Sequence, residues 1–209
     1  MLHLGRFEEA SDAMADCAKE ALLDPTTHLT GLGWYNQAYA LLQLGRIDDA
    51  LRQAHKAVAE LRETGGLRLV TAAETLVATI HHQAGDLDAA HRILRGDQTA
   101  EHGRSGLVWL DHQATLARVL CDLGELTEAL ELADALLVNA DELGIPTLTA
   151  DLHSVRAHTL LSMDRMTEAQ DAAYVARAHH ERLGSHAQAE RASEIAAEAS
   201  ARLKISKGD

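Results

Sequence analysis

Apolar residues return at three- and four-residue intervals through most of the chain, the spacing that lines one face of an α-helix. Ile47, Leu51, Ala54, Val58 and Leu61 form one such stripe, with polar residues between them. Strand-rich runs of Val, Ile, Thr and Tyr are absent, so the chain reads as all-α. The pattern predicts ten helices, over about 6–23, 27–44, 46–63, 66–84, 86–95, 104–123, 125–143, 146–163, 165–183 and 186–204. Pro25 and Pro146 fall between predicted helices, where a helix should stop. The polar, glycine-containing stretch from Gly96 to Gly106 shortens the fifth helix and reads as a longer loop.

A seven-residue phrase recurs along this pattern. It reads LGRFEEA at Leu4–Ala10, LGRIDDA at Leu44–Ala50, AGDLDAA at Ala84–Ala90 and LGELTEA at Leu123–Ala129, then degrades to MDRMTEA at Met163–Ala169. The spacings are 40, 40, 39 and 40 residues, and a fixed period of this size is the mark of a solenoid. Each place in the phrase has a physical reason. Gly5, Gly45, Gly85 and Gly124 sit where one helix ends, at a position that favours positive φ. Phe7, Ile47, Leu87, Leu126 and Met166 supply an apolar plug just after the turn. Glu8, Asp48, Asp88, Glu128 and Glu168 then place acid in the first turn of the next helix, where the helix dipole favours it. Ala10, Ala50, Ala90, Ala129 and Ala169 never vary within the array, as expected where two helices cross closely. Each repeat is therefore helix, tight turn, helix.

Composition sharpens this reading. The chain is 46% hydrophobic, too apolar to remain disordered despite a net charge of −13. It holds 38 alanines in 209 residues and only 3% aromatics, which predicts a thin core closed by small side chains. Thirty-two acidic residues face nineteen basic ones, and lysine occurs only at 19, 56, 204 and 207, so direct nucleic-acid binding is not expected. Cys17 and Cys121 form no CxxC and read as two small buried thiols in a reducing compartment. Neither a leader-like N-terminus nor a membrane-length apolar run is present, and a cytoplasmic location without membrane contact is expected.

With the turn glycine as anchor, the residues resemble the tetratricopeptide family. Trp34 matches that family's helix-A tryptophan, Ala38 its small residue, and Ala50 and Ala57 its two helix-B alanines. The family's period is about 34 residues, and repeats nearer forty look more like those of large bacterial transcription regulators and signalling ATPases. The resemblance implies a right-handed α-solenoid of stacked antiparallel helix pairs. It would run as one array over 1–209, with repeats at about 1–24, 27–64, 66–103, 104–144 and 146–183 and a capping helix at 185–204. The first repeat would lack almost all of its helix A, leaving an uncapped edge. Two explanations stay open: the chain is a piece of a longer protein, or that edge is covered by a partner or a second copy in a homodimer.

Chemistry-bearing motifs are scarce. The chain has no HExxH, Walker A loop, GxGxxG or GxSxG. Thirteen histidines include no His–His pair at the i, i+4 spacing of ligands on one helix, and His153 and His158 are five apart, so no metal or cofactor is expected. Near pH 6 these histidines would offset part of the negative charge. The acid pairs Glu8–Glu9 and Asp48–Asp49 are accounted for by the helix dipole, and no enzyme activity is expected.

What remains is the concave face that helices A present in such arrays. The family's groove positions project onto Tyr35, Asn36, Tyr39 and Gln43, then Thr75, Thr79, His82 and Gln83. The next two repeats contribute Asp111, Thr115, Arg118 and Asp122, and Asp151, Ser154 and His158. The family's carboxylate clamp needs groove lysine and asparagine. Asn36 fits one such place, but Tyr35 and Leu76 stand at others, so that specificity is not expected. Arg118, flanked by Asp111 and Asp122, reads as a cation paired internally. The resulting expectation is a non-catalytic scaffold for a neutral-to-basic protein or peptide segment, anchored on Tyr35 and Tyr39. The alternative is a ligand- or partner-sensing repeat region of a transcription regulator whose other domains lie elsewhere.

Overall fold

A computed structural model describes residues 7–21, 29–64, 67–96 and 106–207. Among them ten helices follow one another: α1 (Phe7–Ala21), α2 (Leu29–Gln43), α3 (Ile47–Glu63), α4 (Leu67–Gln83), α5 (Leu87–Leu94), α6 (Leu107–Leu123), α7 (Leu126–Leu143), α8 (Pro146–Ser162), α9 (Met166–Arg182) and α10 (His186–Lys207). The fifth is the short one, as the polar stretch after it predicts. No helix among the described residues is long and apolar enough to cross a membrane.

The turns follow from a single backbone device. After α2, the Gly45 N–H bonds the Leu42 carbonyl and the Arg46 N–H bonds the Leu41 carbonyl, which together close the helix end in a Schellman motif. The same pair of bonds recurs at Gly85, Gly124, Gly144, Asp164 and Gly184. All six residues have positive φ, and Asp164 (φ 58°) is the non-glycine among them. The degraded fifth phrase thus keeps its turn after losing its glycine, because a short polar side chain tolerates the left-handed region. Gly5, expected to do the same, lies outside the described residues.

The acids that follow the turns do more than answer the dipole. Arg46 bonds Asp49 and Arg165 bonds Glu168, each through Nε at 2.8 Å, at equivalent places in two phrases. In the third phrase Asp86 caps α5 by accepting from the Ala89 N–H at 3.1 Å. These pairs are solvated and screened, and they add little to stability. The alanines carry more of the packing. Ala10, Ala50, Ala90, Ala129 and Ala169 are all fully buried, while the apolar plugs Phe7, Ile47, Leu87, Leu126 and Met166 are half-buried.

The chain divides into two compact units, Met1–His112 and Gln113–Asp209, the division falling within α6. In the N-terminal unit, α1 packs on α2, α2 on α3, α3 on α4 and α4 on α5. Its core gathers Ala38, Leu41 and Leu42 of α2, Ala50, Ala54, Ala57, Val58 and Leu61 of α3, and Ala73, Leu76, Val77 and Ile80 of α4. Trp34 packs against this core, with the Lys56 ammonium 4.8 Å from its ring centroid. A Cβ on Gly31 would lie 2.6 Å from Leu61 Cγ, so α2 and α3 approach as closely as glycine permits.

In the C-terminal unit, α7 packs on α8, α8 on α9 and α9 on α10. The core here is leaner: Leu130, Leu160 and Leu161 surrounded by Ala157, Ala169, Ala172, Ala173, Ala196 and Ala199. Helix α10 joins it through Ala196 and Ala199 and turns Glu190, Arg191, Glu194 and Glu198 outward. One of the two cysteines departs from expectation. Cys121 is buried but Cys17 is exposed, because it falls on the solvent side of α1 beside Asp16.

Candidate functional site

In the N-terminal unit, three of the predicted groove residues come together. Tyr35 of α2 is half-buried against the core, and Tyr39, one turn later, is 40% exposed. Burial pushes the Tyr35 hydroxyl above its ordinary pKa, and the nearby Asp111 carboxylate and Tyr39 raise it further. Helices α2 and α6 therefore present two phenols and a carboxylate to one neighbourhood. Gln43, Gln83 and Asp111 are exposed, and Asn36, Thr79 and His82 are half-buried.

Thr75 was expected on the same face and instead lies inside, 4% exposed. Its hydroxyl sits 2.7 Å from the Thr71 carbonyl oxygen and 2.8 Å from His112 Nδ1. His112 Nε2 meets the Leu94 carbonyl at 3.0 Å, and the ring stacks on Trp109 with centroids 5.4 Å apart. The imidazole thus ties α4, α5 and α6 together from the interior. Burial lowers its pKa, against the opposing pull of the Leu94 carbonyl, Glu74 and Asp111. Reading groove positions off the family pattern missed His112.

In the C-terminal unit, Thr115 is likewise buried, 6% exposed. Arg118 and Asp151 are half-buried, and Asp122 and His158 are exposed. Burial raises the Asp151 pKa, while the Arg118 guanidinium and then His180 hold it down. The Arg118 guanidinium thus acts on a carboxylate of α8 as well as standing between Asp111 and Asp122 on its own helix. Ser154 Oγ lies 3.0 Å from His180 Nε2 and donates to the Ala150 carbonyl at 3.1 Å.

One turn further along the same helices, Cys121 Sγ and Asp122 Oδ1 each lie 3.7 Å from His158 Nδ1. The expectation of no ligand cluster considered spacing within single helices, and this set is assembled between α6 and α8. A cleft of about 420 Å³ lies elsewhere, among Ala140, Asp141, Gly144, Ile145, Pro146, Thr149, His179, Arg182 and Leu183. None of the predicted groove residues lines it.

A Cys–His–Asp set invites comparison with nucleophilic catalysis, and the geometry argues against it. A relay needs the carboxylate on the ring nitrogen opposite the nucleophile, so that it orients the base. Here thiol and carboxylate face the same nitrogen. The thiol is also held up by burial, with Thr159 opposing the shift, and a protonated, enclosed thiol is a poor nucleophile.

Comparison with known proteins places the fold. No family model matches the sequence, and no curated protein matches it. Among solved structures, BtubC (BKLC) from P. vanneervenii superposes with a TM-score of 0.68 at 14% identity, over 95% of this chain and 92% of that one. A Rap protein complexed with Competence and Sporulation Factor gives a TM-score of 0.66 at 13% identity, over 97% of this chain and 61% of that one. A Podosopora anserina protein with nearly identical TPR-like repeats gives 0.64 at 16% identity, over 88% of this chain and 91% of that one. Identities this low speak for architecture alone, and on that point they agree with the turns, the buried alanines and the helix order: the chain has the TPR-like fold, an all-α solenoid of antiparallel helix pairs.

Proposed function

We propose that this protein is a non-catalytic scaffold that receives a neutral-to-basic protein or peptide segment along the A helices of its N-terminal unit. The observation that carries this reading is the grouping of Tyr35, Tyr39 and Asp111. Tyr39 offers a large, stiff contact surface to solvent, and tyrosine is enriched among residues that dominate binding energy. Tyr35, one turn earlier, packs against the core, and Asp111 supplies negative charge near its hydroxyl. A net charge of −13 favours approach of a cationic partner at long range. The Rap protein of similar fold is complexed with Competence and Sporulation Factor, which supports a binding role for this architecture.

Selection from a random peptide library displayed on phage tests the reading. Peptides with basic residues beside an apolar or aromatic one should be enriched. Their affinity should fall at least tenfold, or about 1.4 kcal/mol, in Tyr39→Ala. It should fall again in Asp111→Lys and be unchanged in Val138→Ala on the exposed side of α7. Enriched peptides that bind Tyr39→Ala and Asp111→Lys as tightly as the parent would overturn the assignment.

A further inference from the structure

We propose that Cys121, Asp122 and His158 form a binding site for one zinc-class divalent ion. The three potential ligand atoms lie within 4.8 Å of one another, and they combine a thiol, a carboxylate and an imidazole. A soft thiolate and a borderline imidazole beside one hard carboxylate suit zinc or cobalt and are wrong for magnesium or calcium, which take all-oxygen sets.

The spacing agrees with this. Bond lengths of about 2.3 Å to sulfur and about 2.0 Å to nitrogen and oxygen give tetrahedral ligand–ligand edges of roughly 3.3–3.5 Å. Two observed edges, from Nδ1 to sulfur and from Nδ1 to oxygen, are 3.7 Å each. The third, from sulfur to oxygen, closes by rotation of the Asp122 side chain, which is 29% exposed. Convergence of both donors on one ring nitrogen is the arrangement a shared ion requires.

Position favours a cation too. Cys121 and Asp122 occupy the last turn of α6, and His158 lies four residues before the end of α8. The carboxyl ends of helices carry the negative pole of the helix dipole. Three protein ligands leave a fourth position for water, as in open zinc sites. Binding replaces the thiol proton, so each ion taken up releases one proton as the metal–sulfur bond forms.

The test is a cobalt(II) titration of the full chain, tag-free and reduced, followed by absorbance. One equivalent should produce a thiolate-to-cobalt charge-transfer band, and zinc should displace it while magnesium and calcium should not. Cys17→Ser must retain the band, since Cys17 is the other free thiol. Cys121→Ser must lose it, and His158→Ala should bind cobalt at least tenfold more weakly. Absence of the band in the parent, or its survival in Cys121→Ser, overturns the site. If Cys121→Ser fails to fold, His158→Ala decides, because that side chain is half exposed, and an unchanged titration there overturns the site equally.

Discussion

Thr75 Oγ1 and His112 Nδ1 lie 2.8 Å apart inside the N-terminal unit, although 37 residues separate them in the chain. The Leu94 carbonyl can only accept, so His112 Nε2 carries the ring proton and Nδ1 is left an acceptor, sharing the one threonine hydroxyl proton with the Thr71 carbonyl. Thr75→Val keeps the shape and removes the donor. A buried acceptor left without a partner costs about 1–3 kcal/mol, so urea denaturation should show a loss of that size. In a His112→Leu background the same change should cost less, and a double-mutant cycle showing no coupling would argue against the bond.

Acid should destabilise the protein before its carboxylates titrate. His55, His112, His153, His179 and His180 all have lowered pKa values, with burial the leading cause in each. A histidine whose folded pKa lies below the unfolded value of about 6.5 binds its proton more readily once unfolded. Stability from these groups is therefore complete above about pH 6.5 and declines as pH falls. Each one fully coupled to unfolding contributes at most about 1.4 kcal/mol per pH unit, and the more exposed ones much less. Asp151 acts with the opposite sign, from the ordinary carboxylate range upward, because its pKa is raised. Melting temperatures across pH 5–8 should fall toward acid, and His112→Gln should flatten that slope.

Enlarging a crossing alanine should be felt at once. Ala50→Leu and Ala129→Leu each force three carbons and their hydrogens into a fully buried seat, and overpacking of this kind typically costs about 1–3 kcal/mol. Ala59→Leu, on the exposed side of α3, should shift the melt by no more than about 0.5 kcal/mol. Equal effects at the three sites would contradict close crossing.

The turns offer a paired comparison. Gly45→Ala meets no atom within 4 Å but places a Cβ at φ +71°, so it should lose about 1 kcal/mol from backbone strain alone. Asp164→Gly relieves strain while freeing the unfolded chain and removing a solvated contact to Arg202. These terms offset to within about 1 kcal/mol. Thermal melts should rank Gly45→Ala clearly below the parent and Asp164→Gly close to it.

These experiments also separate what the letters carry from what they do not. Helix order, the turn glycines and the buried alanines were legible because each is a local event repeated at a fixed period. The Leu-Gly pairs at 143–144 and 183–184 carry the same period and close α7 and α9 in the same way, and were as readable as the phrases themselves. Side-chain direction was harder. Thr75 and Thr115 share the helices of the predicted groove, yet a fraction of a turn points them inward. Tyr35 is half given to packing, so Tyr35→Phe is a cleaner probe of binding than truncation. The cross-helix pairs were hidden for a different reason. Thr75–His112 and Cys121–His158 are both separated by 37 residues, one period less one helical turn, and no search within a single helix reaches that distance.

The fully buried alanines also bear on how the fold is gained. A buried leucine or methionine surrenders rotamer freedom when it docks, whereas alanine has none to lose. Wherever Ala10, Ala50, Ala90, Ala129 or Ala169 meets a neighbouring helix, the contact forms without side-chain ordering. Backbone ordering is then the chief entropic opposition at those seats, and it is met locally, hairpin by hairpin. Such a chain should open and close one helix pair at a time, with amide exchange slowest around the leucine-rich seam of α2–α4 and faster along the alanine-lined contacts of α9 and α10.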